Sequence, residues 1–169
     1  MNRALDHFIE TLARWTAYAG GLVLLAVVVM TCVSIAGRSL DRLATGFGPI
    51  PGDFELVEIG IGFAIFAFLP WCQLKRGHAT VDLFQPYFGK QLNAFIELIS
   101  DLLMFIAATL IGWRLWQGML DKRGYTETTF ILQFPVWIAY AAALVGAAVF
   151  VIVSLYCVWR SGRAFAGAS

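Results

Sequence analysis

Charged side chains are scarce in this sequence, and only two histidines are present. Of the 169 residues, 14% are charged and 60% are hydrophobic. Soluble domains usually carry about 25% charged residues, so this chain has more apolar surface than a water-soluble core of its size can bury. The composition therefore excludes a soluble globular protein and predicts an integral membrane protein.

The sequence also lacks the patterns of most catalytic and metal sites. His7 and His78 lie outside the apolar runs, so they do not supply the two axial ligands of a membrane haem. HExxH, GxSxG and phosphate-binding glycine motifs are absent, and the three cysteines lack CxxC spacing. We expect no enzyme activity, cofactor or metal. The net charge of +1 gives no support for a nucleic-acid partner.

Four apolar runs have the length of membrane-spanning helices. The predicted spans are residues 16–36, 56–74, 92–116 and 134–159. The second run alone would rise about 28 Å as a helix, close to the thickness of the hydrocarbon layer. No stretch alternates apolar and polar residues as the strands of a membrane barrel do. The expected fold is an all-α membrane protein with one four-helix transmembrane domain over residues 1–169.

The first 15 residues form an amphipathic segment. Leu5, Phe8, Ile9 and Leu12 recur at helical spacing, with charged residues on the other face. This pattern predicts an N-terminal interfacial helix lying on the membrane. The alternative is that the segment is the extended start of the first span.

Lysine and arginine are unevenly divided between the two sides of the predicted topology. The N-terminus, second loop and C-terminus hold seven of these residues, whereas the first and third loops and the end of span three hold five. Cytoplasmic loops carry an excess of positive charge, so we expect both termini in the cytoplasm. The seven are Arg3, Arg14, Lys75, Arg76, Lys90, Arg160 and Arg163, and the five are Arg38, Arg42, Arg114, Lys122 and Arg123.

Acids at the external end of span two are the first candidate functional residues. An acid at the bilayer centre costs about 2.5 kcal/mol or more, so its depth and its partners decide its role. Glu55 and Glu58 share one helix face, and Arg38 lies at a similar depth at the end of span one. We expect Arg38 to pair with one of these two acids. Asp53 is expected to be the N-cap of the helix.

A second acidic pair lies near the cytoplasmic side of span three. Glu97 and Asp101 are four residues apart and share a helix face. Their candidate partners at this level are Arg14, Lys75, Arg76 and Lys90. A salt bridge that supports packing is the favoured role, and binding of a cation or relay of protons is the alternative.

Pro70 is the proline inside the second span. It cannot donate a hydrogen bond to the Phe66 carbonyl, so we expect a kink about one turn before the cytoplasmic end. The alternative is that neighbouring helices absorb the proline without a functional consequence.

Three short stretches carry a resemblance to a known family. The first is Glu55, which opens the second span, and the second is KRGHATVD at Lys75–Asp82, with Arg76, His78 and Asp82. The third is TETTFILQFPVW at Thr126–Trp137, with Thr126, Leu132 and Pro135. In this order and spacing they resemble the small, DctQ-like membrane subunit of tripartite ATP-independent periplasmic (TRAP) transporters. Pro70 departs from the resemblance, which implies a small residue there.

The resemblance implies an accessory subunit of the bacterial inner membrane, with four spans and cytoplasmic termini. It also implies two protein partners besides the lipid bilayer. A large membrane subunit holds the sodium and substrate sites, and a periplasmic binding protein delivers the substrate, an organic acid anion. The small subunit would brace the large one and help to dock the binding protein.

Particular residues acquire expected roles from this resemblance. The external loops would touch the binding protein through Arg38, Arg42, Lys122 and Arg123. His78 and Asp82 would cap helices or bond the cytoplasmic turn to span three.

A different function stays open from the residues themselves. A stand-alone small transporter or channel would use Glu58, Glu97 and Asp101 as intramembrane acids. The anchor subunit of a membrane enzyme is a third possibility, for which the histidine content is low.

Overall fold

The computed structural model describes residues 3–40, 48–78 and 89–168, and these ranges contain four α-helices. The helices are α1 (Arg3–Leu40), α2 (Asp53–Leu74), α3 (Lys90–Gly124) and α4 (Val136–Ala168). In these ranges the β-pairing is limited to an isolated bridge between Thr128 and Pro135. All four helices are long and apolar enough to cross a membrane. The chain is therefore an all-α membrane protein, as its composition predicts.

Three of the helices are longer than a membrane crossing requires. α1 has 38 residues, α3 has 35 and α4 has 33. At about 1.5 Å per residue and about 30 Å of hydrocarbon, each exceeds the roughly 20 residues of a perpendicular span. α2, with 22 residues, is close to that length. Most polar side chains of α1, α3 and α4 lie in these additional turns.

The amphipathic N-terminal segment does not form a separate interfacial helix. Residues 3–15 continue into the first span as one helix, α1. Ile9 and Ala13 are buried in a cluster that also contains Leu74, Val153 and Tyr156. The apolar face of the segment therefore packs against α2 and α4, and the segment is the extended start of the first span.

Several helix ends differ from the spans predicted by hydropathy. The third predicted span ends at residue 116, whereas α3 continues to Gly124. Hydropathy marks the apolar part of a helix, whereas the helix itself continues until its backbone conformation changes. The second loop of the predicted topology lies mostly outside the described residues, of which 75–78 form a turn.

The helices are arranged in the order α1, α2, α4, α3. α2 packs on α1 and α4, α3 packs on α4, and a smaller contact joins α1 to α4. α4 has the largest buried share of the four. We call the end that contains the start of α1 and the end of α4 the terminal end, and the other the opposite end. α2 and α4 run parallel, and both end at the terminal end.

Small residues let α2 approach its two neighbours closely. A Cβ added at Gly20 of α1 would lie 2.8 Å from Cβ of Ala67 in α2. A Cβ added at Gly146 of α4 would lie 2.7 Å from the carbonyl carbon and oxygen of Phe66. This carbonyl is the one that Pro70 deprives of its usual helical donor. α2 continues as a helix through Pro70, which is fully buried. The backbone of α4 at Gly146 lies close to the Phe66 carbonyl.

We predict that Gly146→Ala will be less stable than the matched variant Gly62→Ala. The new methyl group at position 146 meets the Phe66 backbone, which cannot move away as a side chain could. At Gly62 an added Cβ meets nothing within 4 Å. Because both changes improve helix propensity equally, the difference isolates overpacking, about 2 kcal/mol in the free energy of unfolding. Unfolding of the detergent-solubilised chain, followed by circular dichroism, measures it. Equal stabilities would show that the close approach at Gly146 is not tight.

Candidate functional site

A buried polar network joins α2, α3 and α4 at the terminal end. Asp101 of α3 is only 6% exposed. Its Oδ1 accepts a hydrogen bond from Gln73 Nε2 at 2.9 Å, and its Oδ2 accepts one from Ser161 Oγ at 2.5 Å. Gln73 lies in α2 and Ser161 in α4, and both are buried. A carboxylate that is removed from water needs such donors, so Asp101 ties its own helix to two others.

Arg76 completes this network from the turn after α2. Its guanidinium pairs with Glu97 Oε1 at 2.6 Å, donates to Ser161 Oγ at 3.1 Å and lies 3.9 Å from Asp101 Oδ2. Burial by itself lowers the pKa of Arg76, but the hydrogen bond and the charge of Glu97 outweigh it and raise the pKa above its ordinary value. Arg76 is therefore a permanent cation between two acids of α3. We call Gln73, Arg76, Glu97, Asp101 and Ser161 the Asp101 network.

The backbone at the end of α2 places Arg76 in a conformation that usually requires glycine. Its φ angle is +51°, in the left-handed region. The amide of Gly77 donates to the Cys72 carbonyl at 2.8 Å, and that of Arg76 donates to the Gln73 carbonyl at 3.2 Å. These two bonds form a Schellman motif with arginine at the left-handed position. A side chain there costs about 1 kcal/mol, which the contacts of the Arg76 guanidinium offset.

The network brings together residues that the sequence singled out and others that it did not. Among the candidate cations whose side chains the structure describes, Arg76 contacts Glu97 and Asp101. Gln73 and Ser161 were missed. Both are polar residues within two or three positions of an arginine at the boundary of an apolar run, and this position is the signal that could have identified them.

His78 lies in the same turn but outside the network. Its Nδ1 is 3.6 Å from Cys72 Sγ, and it makes no bond to α3 within the described ranges. The expected bond from His78 to span three is therefore not formed there. Asp82, its expected companion, lies outside the described residues. Among the described residues, no three His, Cys, Asp or Glu side chains converge as a metal site requires.

A cleft of about 630 Å³ opens beside the network, between α1, the end of α2 and α4. Lys75 Nζ bonds Glu10 of α1 at 2.9 Å, and Tyr156 of α4 donates to Asp6 of α1 at 2.7 Å. The start of α1 is thus attached to both α2 and α4. Arg160 of α4 also lines the cleft.

At the opposite end, Asp53 joins the first two helices. Its Oδ2 accepts hydrogen bonds from Ser34 Oγ at 2.6 Å and from Arg38 at 3.2 Å. Arg38 therefore pairs with Asp53 and not with Glu55 or Glu58. The predicted N-cap is also wrong: Gly52, with φ +74°, is the N-cap, and Asp53 is the first helical residue.

Glu55 fixes the loop between α3 and α4. Its Oε1 accepts from the amide of Ile131 at 2.6 Å and its Oε2 from that of Leu132 at 2.9 Å. The Leu132 side chain covers Gly52, where there is no space for a Cβ. The loop begins with a second Schellman motif, with Thr126 in the left-handed conformation, and ends at Pro135, which is bridged to Thr128. Glu55 thus attaches the 125–135 loop to the start of α2.

The remaining candidate residues have individual environments. Lys122 bonds Glu127 at 2.6 Å, and the Arg123 guanidinium lies 5.6 Å from the centroid of the Trp137 ring. Arg42 lies outside the described residues. Glu58 is exposed and lines a groove of about 290 Å³ between α2, α3 and α4. In the part of the chain that the structure describes, no cation pairs with Glu58.

We predict that Asp101→Ala will destabilise the fold by about 3 kcal/mol. The substitution leaves Arg76 without one of its acids and Gln73 and Ser161 without their acceptor, and breaking a buried ion pair costs about that much. As control, Glu127→Ala removes the exposed partner of Lys122 and should cost about 0.5 kcal/mol. Chemical denaturation in detergent measures both. A loss at Asp101 no larger than at Glu127 would show that the network does not hold the helices together.

We predict that Glu55→Ala will loosen the 125–135 loop without unfolding the helices. Removal of the carboxylate takes away the acceptor of two backbone amides, so amide exchange at Ile131 and Leu132 should accelerate about tenfold or more. Hydrogen exchange read by mass spectrometry reports this. Glu58→Ala, one turn along the same face, is the matched control and should leave the loop unchanged. Equal exchange in the two variants would contradict the attachment of the loop by Glu55.

Comparison with known families identifies the chain. Residues 27–164 match the DctQ family, described as the DctQ component of tripartite ATP-independent periplasmic transporters. Comparison with curated proteins and with solved structures gave no match. The matched family is a transporter component and not a catalytic family. With four helices able to cross a membrane, the match also indicates a multi-pass protein of the bacterial inner membrane. The chain therefore belongs to the DctQ family and is the small membrane subunit of a TRAP transporter.

Proposed function

We propose that this chain is the non-catalytic accessory subunit of a sodium-driven TRAP transporter for organic acid anions. It braces the large membrane subunit and helps to dock the periplasmic substrate-binding protein. The observation that carries the proposal is the set of contacts made by the two acids of α3. Glu97 and Asp101, which a transport site could use, are bound by Arg76, Gln73 and Ser161 and join three helices.

The positions of the acids argue against a stand-alone transporter. Glu58 lies 15 residues before Gln73 on α2, about 22 Å along the helix axis. It therefore lies at the opposite end from Glu97 and Asp101. Acids so far apart do not form one ion site, and a transporter is expected to bind its substrate near the middle of the membrane.

The edges of the helix array support a brace that has a large partner. α1 and α3 form the two edges, and both have long exposed apolar faces. Apolar surface of this kind faces lipid or another membrane protein. The exposed side chains include Leu22, Leu25, Val29 and Val33 on α1 and Leu103, Ile106, Leu110 and Trp113 on α3.

The opposite end supports docking of the binding protein. With both termini in the cytoplasm, this end faces the periplasm. The 125–135 loop is fixed by Glu55 and presents Phe130, which is 91% exposed. Lys122 and Arg123 lie just before the loop, and Arg38 lies at the same end. An ordered loop with an exposed aromatic residue and basic neighbours suits a transient protein contact.

We predict that the isolated chain will not transport and that the reconstituted complex will. The tagged chain is co-expressed with its large membrane subunit, purified and reconstituted in liposomes with a sodium gradient, the binding protein and labelled substrate. Uptake should need the large subunit as well as this chain, because Glu97 and Asp101 serve in cross-helix contacts. Liposomes that contain this chain alone are the control. Uptake by the chain alone would support the transporter alternative and overturn the proposal.

The same uptake assay tests the docking role with a charge-reversal variant. Charge reversal at Arg38, Arg42, Lys122 and Arg123 should lower uptake by weakening the productive encounter with the binding protein. Charge reversal at Arg163, at the terminal end, is the control and should leave uptake unchanged. Normal uptake by the four-residue variant in an assembled complex would exclude docking by these side chains.

A further inference from the structure

The cleft at the terminal end has the charge and the position of a binding site for a phosphate group. Among the described residues, its charged lining consists of three cations, Lys75, Arg76 and Arg160, and two acids, Asp6 and Glu10. Leu74, Tyr156 and Ala164 form the rest of the wall. These described charged residues therefore have a net charge of +1, with an apolar wall beside them.

Arg160 is the side chain that points to a ligand. Within the described ranges, its guanidinium makes no hydrogen bond and no ion pair. The other two cations have partners in the protein, since Lys75 bonds Glu10 and Arg76 bonds Glu97. Both acids of the cleft are also occupied, because Tyr156 donates to Asp6. Arg160 thus keeps its donors available in a cleft where the acids are already engaged.

The depth of the cleft matches the phosphate level of a membrane. The apolar run of α4 ends at Trp159, directly before Arg160, and that of α2 ends at Leu74, directly before Lys75. Trp71 lies beneath the cations, with Lys75 Nζ 4.8 Å from its ring centroid. Tryptophan and basic residues together mark the interface between hydrocarbon and headgroups. A lipid bound here would place its phosphate at the cations and its acyl chains along the apolar wall.

We propose that this cleft binds the phosphate group of a membrane phospholipid, with Arg160 as the principal donor and Lys75 and Arg76 as secondary cations. An arginine fork matches a phosphate geometrically and forms charge-assisted hydrogen bonds to it. A bound lipid would fill the space between α1, α2 and α4. This site is separate from transport of the substrate and does not depend on the proposed docking role. A soluble phosphate ester shares the same chemistry, and the experiment separates the two sources.

The test measures lipid binding to the purified full-length chain in neutral detergent. Phosphatidylglycerol is titrated, and bound lipid is counted by native mass spectrometry. Arg160→Gln should weaken binding about tenfold, as expected for loss of a charge-assisted contact. Arg163→Gln is the matched control because Arg163 lies on the same helix, 4.6 Å from the Trp159 ring centroid, and does not line the cleft. It should change binding by less than about twofold.

Further arms identify what is recognised. Digalactosyldiacylglycerol, which has acyl chains but no phosphate, should bind equally to the parent chain and to Arg160→Gln. Glycerol 3-phosphate should not displace the lipid; effective displacement would support the phosphate site with a soluble ester as its ligand. Arg160→Lys keeps the charge but not the fork, so it should bind the lipid more tightly than Arg160→Gln and less tightly than the parent chain, which guards against misfolding of the glutamine variant. Equal losses in Arg160→Gln and Arg163→Gln, or binding of the glycolipid as tight as that of phosphatidylglycerol, would overturn the proposal.

Discussion

One buried carboxylate, which needs hydrogen-bond donors, determines how the terminal end is built. Asp101 lies in α3, which packs mainly on α4. Its hydrogen-bond donors are Gln73 of α2 and Ser161 of α4. In a membrane, hydrophobic attraction between apolar helices is weak. Interhelical hydrogen bonds and close packing therefore hold the helices together. A single satisfied acid can therefore fix the relative position of three helices. Arg76 adds the compensating charge that such a burial requires.

The two ends of the helix array are held by similar contacts. At each end a helix terminates with a non-glycine residue in the left-handed conformation, Arg76 after α2 and Thr126 after α3. At each end an acid also accepts hydrogen bonds from another part of the chain. Asp101 accepts side-chain donors within the bundle, while Glu55 accepts backbone amides of the 125–135 loop. Polar contacts therefore fix the ends, and small residues such as Gly146 bring the helices together between them.

This division of roles fits an accessory subunit of a transporter. Glu97 and Asp101 have structural partners, and α1 and α3 leave apolar edges for lipid or a larger subunit. In the DctQ family such a chain is one component of a tripartite system. For the bracing role that we propose, rigidity at the ends is useful, because a brace transmits position only if its own helices keep theirs.

The sequence by itself determined the membrane class and the four helices, because apolar length and composition are local properties. It also indicated the family, because the resemblance rests on three short stretches of sequence. It also indicated that Glu97 and Asp101 need a cation at their level. Only the tertiary structure decided that Arg76 is this cation, that Arg38 pairs with Asp53, and that Gln73 and Ser161 complete the site. These choices depend on helix order and rotation, which apolar runs do not encode. The N-terminal segment shows the same limit: its periodicity fits either an interfacial helix or the start of a span, and burial of Ile9 and Ala13 against α2 and α4 selects the second.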